Sequence, residues 1–159
     1  MSDMLVKLYE LQDISDLVNE LVQDGITIRA ALAPELHIVK DWVNQNFSKY
    51  WESEVVKAFS NNPITCYLAI KNGEILGFSC VNATLCGFFG PMGVSEKIRG
   101  KKIGKALLVY GLQQLKYLGF GYAIIGGVGP KEFYSKHVGA VEIENSTPGV
   151  YKGLLKIDS

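Results

Sequence analysis

Apolar residues recur at helical spacing near the start of the chain. Ile14, Leu17, Val18 and Leu21 share one side, and Gly25 follows as a stop. Six acidic residues lie between Asp3 and Asp24 against a single Lys7, so this stretch is expected to be an acidic amphipathic helix with a solvated face. "ITIRAAL" then alternates Ile26, Ile28 and Ala30 with Thr27 and Arg29, the period of two that marks a strand. Pro34 suits the first position of a helix, where its missing N–H would have had no partner. Leu36, Val39, Trp42 and Val43 continue that helix, and a second is expected around "YWESEVVKAF", ending near "SNNP".

"ITCYLAIKNGEILGFSCV" holds two β-rich runs joined by Asn72-Gly73, the strongest short-range hairpin signal. "TLCGFFGPMGV" reads as a third strand interrupted by Gly87, Gly90, Pro91 and Gly93. Such residues inside a strand predict a sheet edge or a bulge where something else approaches the backbone. From Lys101 to Leu118 the pattern turns helical. Lys105, Gln113 and Lys116 share a narrow stripe with Val109, and apolar residues fill most of the remaining circumference, as expected of a helix pressed on a sheet. "FGYAIIGGV" predicts a short strand, "GPKEFYSKHVG" a short helix closed by Gly139, and "AVEIE" and "VYKGLLKI" two final strands. The predicted order is helix, strand, two helices, three strands, helix, strand, helix, two strands. A hairpin region followed by a strand–helix–strand crossover makes an α/β fold, a mixed sheet with helices on its faces.

The 159 residues suit one domain, and 48% hydrophobic against 20% charged residues is a globular composition. Formal charge is zero, which argues against wholesale binding to nucleic acid or an anionic membrane. Cys66, Cys80 and Cys86 lie in apolar stretches without a CxxC spacing and read as buried, reduced thiols, consistent with a cytoplasmic protein. No apolar run approaches the ~18 residues of a membrane span, and the acidic, polar start does not read as a signal peptide. No repeat or linker divides the chain.

Against this neutral background, "VSEKIRGKKIGKALL", Val94 to Leu108, carries five cations between Lys97 and Lys105. A strand, a glycine-bearing basic turn and a helix start form an anion site, because the first helical N–H groups lack acceptors and the helix dipole adds positive charge. Gly100 and Gly104 remove side chains that would keep a ligand from the backbone, and Arg99, Lys101, Lys102 and Lys105 surround the spot. An ordinary solvated helix start is the other reading of such a turn taken alone. "GKKIGKA" has three residues between its glycines, and Ala106 stands where a nucleotide-triphosphate loop needs a hydroxyl; neither "RGKKIGK" nor "GGVGP" supplies the dinucleotide fingerprint.

The same segment resembles the acyl-CoA-binding signature of the GNAT superfamily of N-acetyltransferases, [Q/R]-x-x-G-x-[G/A] before a helix opening "ALL". Arg99 fills the first position and Gly104 the last, while Lys102 stands where the family usually has glycine. The later "FYSKHVGA" resembles the family's "fYeklGF" segment. The resemblance covers nearly all of the chain after the first two dozen residues. It implies a single domain, 1–159, with an acidic helical extension over 1–24 and a core over 26–157. The implied fold is the family's mixed, mostly antiparallel sheet with splayed parallel central strands and flanking helices.

That likeness implies acetyl-CoA as co-substrate, without a metal, bound by Val94, Arg99, Gly100, Lys101, Lys102, Ile103, Gly104 and Lys105. It implies direct attack of an amine on the thioester. Tyr134 aligns with the tyrosine that often serves as general acid beside the CoA sulfur; a packing tyrosine is the alternative. No acidic residue lies between Thr84 and Val94 to act as base. Trp51, Glu52 and Glu54 fall where the family usually shapes its acceptor pocket, and solvated carboxylates on a packed helix are the alternative for the two glutamates. His37 and His137 read as structural or surface residues. The expected function is N-acetylation of a primary amine on a small molecule or peptide, with no nucleic-acid or membrane partner, and homodimers are common in the family. A non-catalytic acyl-CoA sensor of the same fold is the rival reading.

Overall fold

A computed structural model describes residues 1–98, 100 and 102–156. Its strands are β1 (Met4–Lys7), β2 (Thr27–Ala30), β3 (Cys66–Lys71), β4 (Glu74–Val81), β5 (Phe88–Val94), β6 (Tyr122–Ile125) and β7 (Val141–Glu142). The helices are α1 (Ser15–Gln23), α2 (Leu36–Asn46), α3 (Lys49–Ser60), α4 (Ile103–Tyr117) and α5 (Lys131–Val138). All seven strands join one sheet in the order β2-β3-β4-β5-β6-β1-β7. Neighbours are antiparallel except β5 and β6, which are parallel.

Alternation along β3 and β4 sorts the core into two layers, because successive side chains leave a strand on opposite faces. Cys66, Leu68, Phe78 and Cys80 pack with Val39 and Val43 of α2 and Val55 and Ala58 of α3. Tyr67 and Ala69 face the other way, toward α4, and the Ser79 hydroxyl donates to the Leu107 carbonyl of that helix at 3.1 Å. Covered from both sides of its stripe, α4 buries Ala106 through Val109 completely. The Asn72-Gly73 hairpin forms as expected, with both residues at positive φ and Lys71 opposite Glu74.

Three expectations are corrected. Met4–Lys7 is a strand and not part of an acidic helix, which spans only Ser15–Gln23. Met4, Val6 and Leu8 are buried against α4, a period-two signal that the surrounding charges masked. "VYKGLLKI" makes a 3-10 turn at Gly149–Tyr151, with no strand among its described residues. Of the two alternatives expected for the glycines and proline of β5, an edge or a bulge, the bulge is the one found: β5 is central, its pairing with β4 shifts register between Ser79 and Val81, and it pairs with β6 only at Phe88 and Phe89, which leaves Pro91 outside both ladders. Cys66 and Cys80 are buried, but Cys86 is exposed.

Candidate active site

Beyond Phe89 and Ile125 the two parallel strands part. β5 continues to Val94, while the chain leaving β6 turns through Gly126 and Gly127 toward α5. The gap opens into a cleft of about 1760 Å³. Ligands in sheets of this kind lie outside the carboxyl ends of parallel strands, where helix N-termini point.

At one end the cleft is walled by Val94, Gly100 and the first turn of α4. The first helical bond runs from the Ala106 amide to the Lys102 carbonyl at 3.1 Å, so the amides of Ile103, Gly104 and Lys105 precede the intrahelical ladder. Lys102 holds φ 61° and ψ 15°, the left-handed conformation that glycine adopts freely and that costs another residue roughly 1–2 kcal/mol. Its side chain is exposed and its backbone takes the shape glycine would give. At Gly104 an added Cβ would meet nothing closer than Phe133 at 3.6 Å and Val94 at 3.7 Å, so packing within the protein does not demand glycine there.

α5 supplies the wall across from β5. Tyr134 is 9% exposed and its phenol is pushed up by burial, so it keeps its proton through the neutral range. Phe133 crosses its ring at 5.2 Å. His137, half-buried, also lines the cleft; burial first, then the charges of Lys105 and Lys136, hold its imidazole below the ordinary value.

The other end is aromatic and carries one carboxylate. Phe47 lies over β5 so closely that a Cβ on Gly93 would sit 2.3 Å from its ring. Trp51 meets Phe47 at 4.9 Å between centroids. Glu54, one turn on along α3, accepts a hydrogen bond from the Thr84 hydroxyl; burial raises its carboxyl and the Thr84 bond opposes that. Tyr151 reaches in from the 3-10 turn, its hydroxyl so near Gly126 that a Cβ there would lie 2.6 Å away. Burial and then the Glu54 charge push its phenol up, against a hydrogen bond with Thr84.

The structure therefore gathers Val94, Gly100, Lys102, Ile103, Gly104, Lys105, Tyr134, Trp51 and Glu54 on one cleft. Glu52 does not line it, His37 is exposed on α2, and Arg99 and Lys101 lie outside the described residues. Sequence reasoning missed Thr84 and Tyr151, whose neighbourhoods carry no local motif. Among the described residues no three His, Cys, Asp or Glu side chains gather to hold a metal ion, and no helix is long and apolar enough to cross a membrane.

A parallel pair that parts ahead of a basic helix start is the arrangement expected of the GNAT fold. The model of the acetyltransferase (GNAT) family matches residues 36–139, and the chain belongs to that family. No curated protein matches it in sequence. Among solved structures it is similar to a GCN5-related glucosamine N-acetyltransferase region of a fungal multi-domain GH3 β-N-acetylglucosaminidase, with a TM-score of 0.73 and 16% identity over 89% of this chain and 19% of that one. A GCN5-related N-acetyltransferase from Sphaerobacter thermophilus gives 0.66 and 19%, covering 89% of this chain and 48% of the other. The GNAT family protein YhbS of Escherichia coli, solved in complex with CoA, gives 0.55 and 19%, over 71% and 67%. The chain thus spans from a fifth to a half of the first two proteins' length.

Proposed function

We propose that the protein transfers an acetyl group from acetyl-CoA to a primary amine of a small molecule or peptide, by direct attack of the amine on the thioester. The observation that carries this reading is the alignment of three features on one cleft: parted β5 and β6, the opening amides of α4, and a protonated, buried Tyr134. The amides of Ile103, Gly104 and Lys105, with the Lys102 and Lys105 ammonium groups, suit the diphosphate of the co-substrate. The gap between the strands offers Val94 and its neighbours to the pantetheine arm. A fold shared with a protein solved in complex with CoA agrees with this.

In the chemical step the new C–N bond forms as the C–S bond breaks. The thiolate then takes a proton from Tyr134, and the nitrogen loses one. Tyr134 suits the acid role because burial keeps its proton in place until a stronger base develops beside it. No cysteine needs to act: Cys66 and Cys80 are buried in the sheet, and Cys86, though exposed, does not line the cleft.

Calorimetry with acetyl-CoA, followed by thiol release across an amine panel that includes glucosamine, tests the reading. Saturable heat, thermal protection and CoASH formed only with acceptor are expected. No heat and no protection at millimolar acetyl-CoA would overturn it. Binding without turnover would leave the family's fold serving as an acyl-CoA sensor.

A further inference from the structure

Apolar side chains from separate segments converge on the aromatic end of the cleft. Trp51 and Phe47 form one wall, and Phe47 is braced by Trp42 at 5.8 Å and by Phe78 at 5.9 Å, so that wall is preformed. Leu85 joins them from the β4–β5 connection, and Val150 and Leu154 from the chain around the 3-10 turn. These three are 46%, 51% and 53% exposed. Single exposed apolar residues are ordinary on a protein surface, but their convergence with aromatic rings on one concave site marks a ligand pocket.

The turn is fixed where it stands. Tyr151 lies against Gly126 at the exit of β6, the Leu154 amide donates to the Tyr151 carbonyl at 3.0 Å, and the Tyr50 hydroxyl of α3 donates to the Leu155 carbonyl at 2.9 Å. Thr84 donates to Glu54 and meets the Tyr151 hydroxyl. The Tyr50, Glu54, Thr84 and Tyr151 polar groups thus already have partners. A hydroxylated ligand would have to compete with those bonds, whereas an apolar body meets rings and aliphatic chains now open to water.

We propose that this end of the cleft selects a small amine carried on an apolar body, a phenyl ring or a short alkyl chain, over hydroxylated amines such as amino alcohols and amino sugars. This rests on the acetyl-transfer reading and names the chemical class of its acceptor. Phe47 lies over Gly93 on the parted stretch of β5. An acceptor whose body rests on Trp51 and the turn therefore directs its nitrogen toward that stretch, where the thioester is expected. Leu154 sets the preference from the turn side, and its partial exposure lets it be changed without touching the core.

The test measures thiol release from acetyl-CoA with phenethylamine, hexylamine, ethanolamine and glucosamine, in wild type and in Leu154→Ser. Phenethylamine and ethanolamine share the aminoethyl group and differ in what it carries. Wild type is expected to favour phenethylamine over ethanolamine by about 10²-fold in kcat/KM, the scale of burying one ring, with hexylamine alongside phenethylamine and glucosamine alongside ethanolamine. Leu154→Ser should raise KM for phenethylamine by about tenfold, the scale of one lost aliphatic contact, and leave kcat unchanged, as expected when binding alone is weakened. Calorimetry with acetyl-CoA reports that the variant's fold and co-substrate site are intact. Ethanolamine or glucosamine within about threefold of phenethylamine in wild type overturns the inference and leaves acetyl transfer standing. So does an unchanged KM in Leu154→Ser. A wild type that binds acetyl-CoA yet releases no thiol with any of the four amines overturns the acetyl-transfer reading and this inference with it.

Discussion

Tyr134 keeps its proton because α5 takes its ring out of water, and that is the property a general acid needs at neutral pH. Tyr134→Phe retains the ring and its contact with Phe133 while removing the hydroxyl proposed to protonate the thiolate. Turnover should fall by about 10²-fold, the scale of acid catalysis, with acetyl-CoA affinity within twofold of wild type. Stopped thiol-release assays and calorimetry read the two quantities separately, and unchanged turnover would take Tyr134 out of the chemistry. Tyr134, Gly104 and Lys102 were legible in the sequence because each sits in a contiguous stretch whose residue types and spacing carry the information. Thr84 and Tyr151 were not. Thr84 meets Glu54 across 30 residues of chain, and nothing in "NATLCG" or "PGVYKG" announces a partner on α3.

Elements whose signal is local came through intact. The Asn72-Gly73 turn fixes the β3–β4 pairing, and the broad apolar arc of α4 requires burial on the sheet. The strand expected in "VYKGLLKI" failed for a complementary reason. Apolar residues favour a strand only where a sheet edge is available, and here Tyr151 and Leu154 turn into the cleft while the Tyr50 hydroxyl donates to the Leu155 carbonyl at 2.9 Å. The junction of β2 and α2 depends instead on charge. Arg29 donates two bonds to Glu35, at 2.8 and 2.7 Å, and the Leu32 amide donates a third at 2.7 Å. The Arg29 bonds come first in holding the Glu35 carboxyl down to about 2. A depressed carboxyl stabilises the fold above its unfolded pKa of about 4.3, and that contribution is lost as pH falls from there toward 2. With Arg29 36% exposed, screening limits the contribution to about 1 kcal/mol. Glu35→Gln should therefore cost about 1 kcal/mol in urea titrations at pH 7, and the difference from wild type should vanish near pH 2. A cost independent of pH would mean that shape, and not charge, holds the junction.

At the scale of the whole molecule, the first strand decides how the cleft is closed. β1 lies between β6 and β7, so it links the strand that forms one side of the gap to the strand that follows α5. Asp3 extends the link: its carboxylate accepts from the Gly127 amide at 2.9 Å, its carbonyl from the Ile143 amide at 2.8 Å, and the Ser2 carbonyl accepts from Val128. The loop that leaves β6 and lines the cleft is thus fastened to the beginning of the chain. Acidic residues around β1 hid this in the sequence, because a charge count over two dozen residues outweighs three buried positions in period two. The consequence is testable without any ligand. The Leu8 amide donates to the Gly121 carbonyl at 3.0 Å, and Met4, Val6 and Leu8 are at most 2% exposed. Native-state hydrogen exchange should find the Leu8 amide protected to the same free energy as the amides of β6, as expected when both open only by global unfolding. Leu8→Ala should cost roughly 2–5 kcal/mol by denaturant titration, the range for a fully buried leucine. Fast exchange at Leu8 beside slow exchange in β6 would show that β1 opens on its own, and the wall it fastens would then open with it.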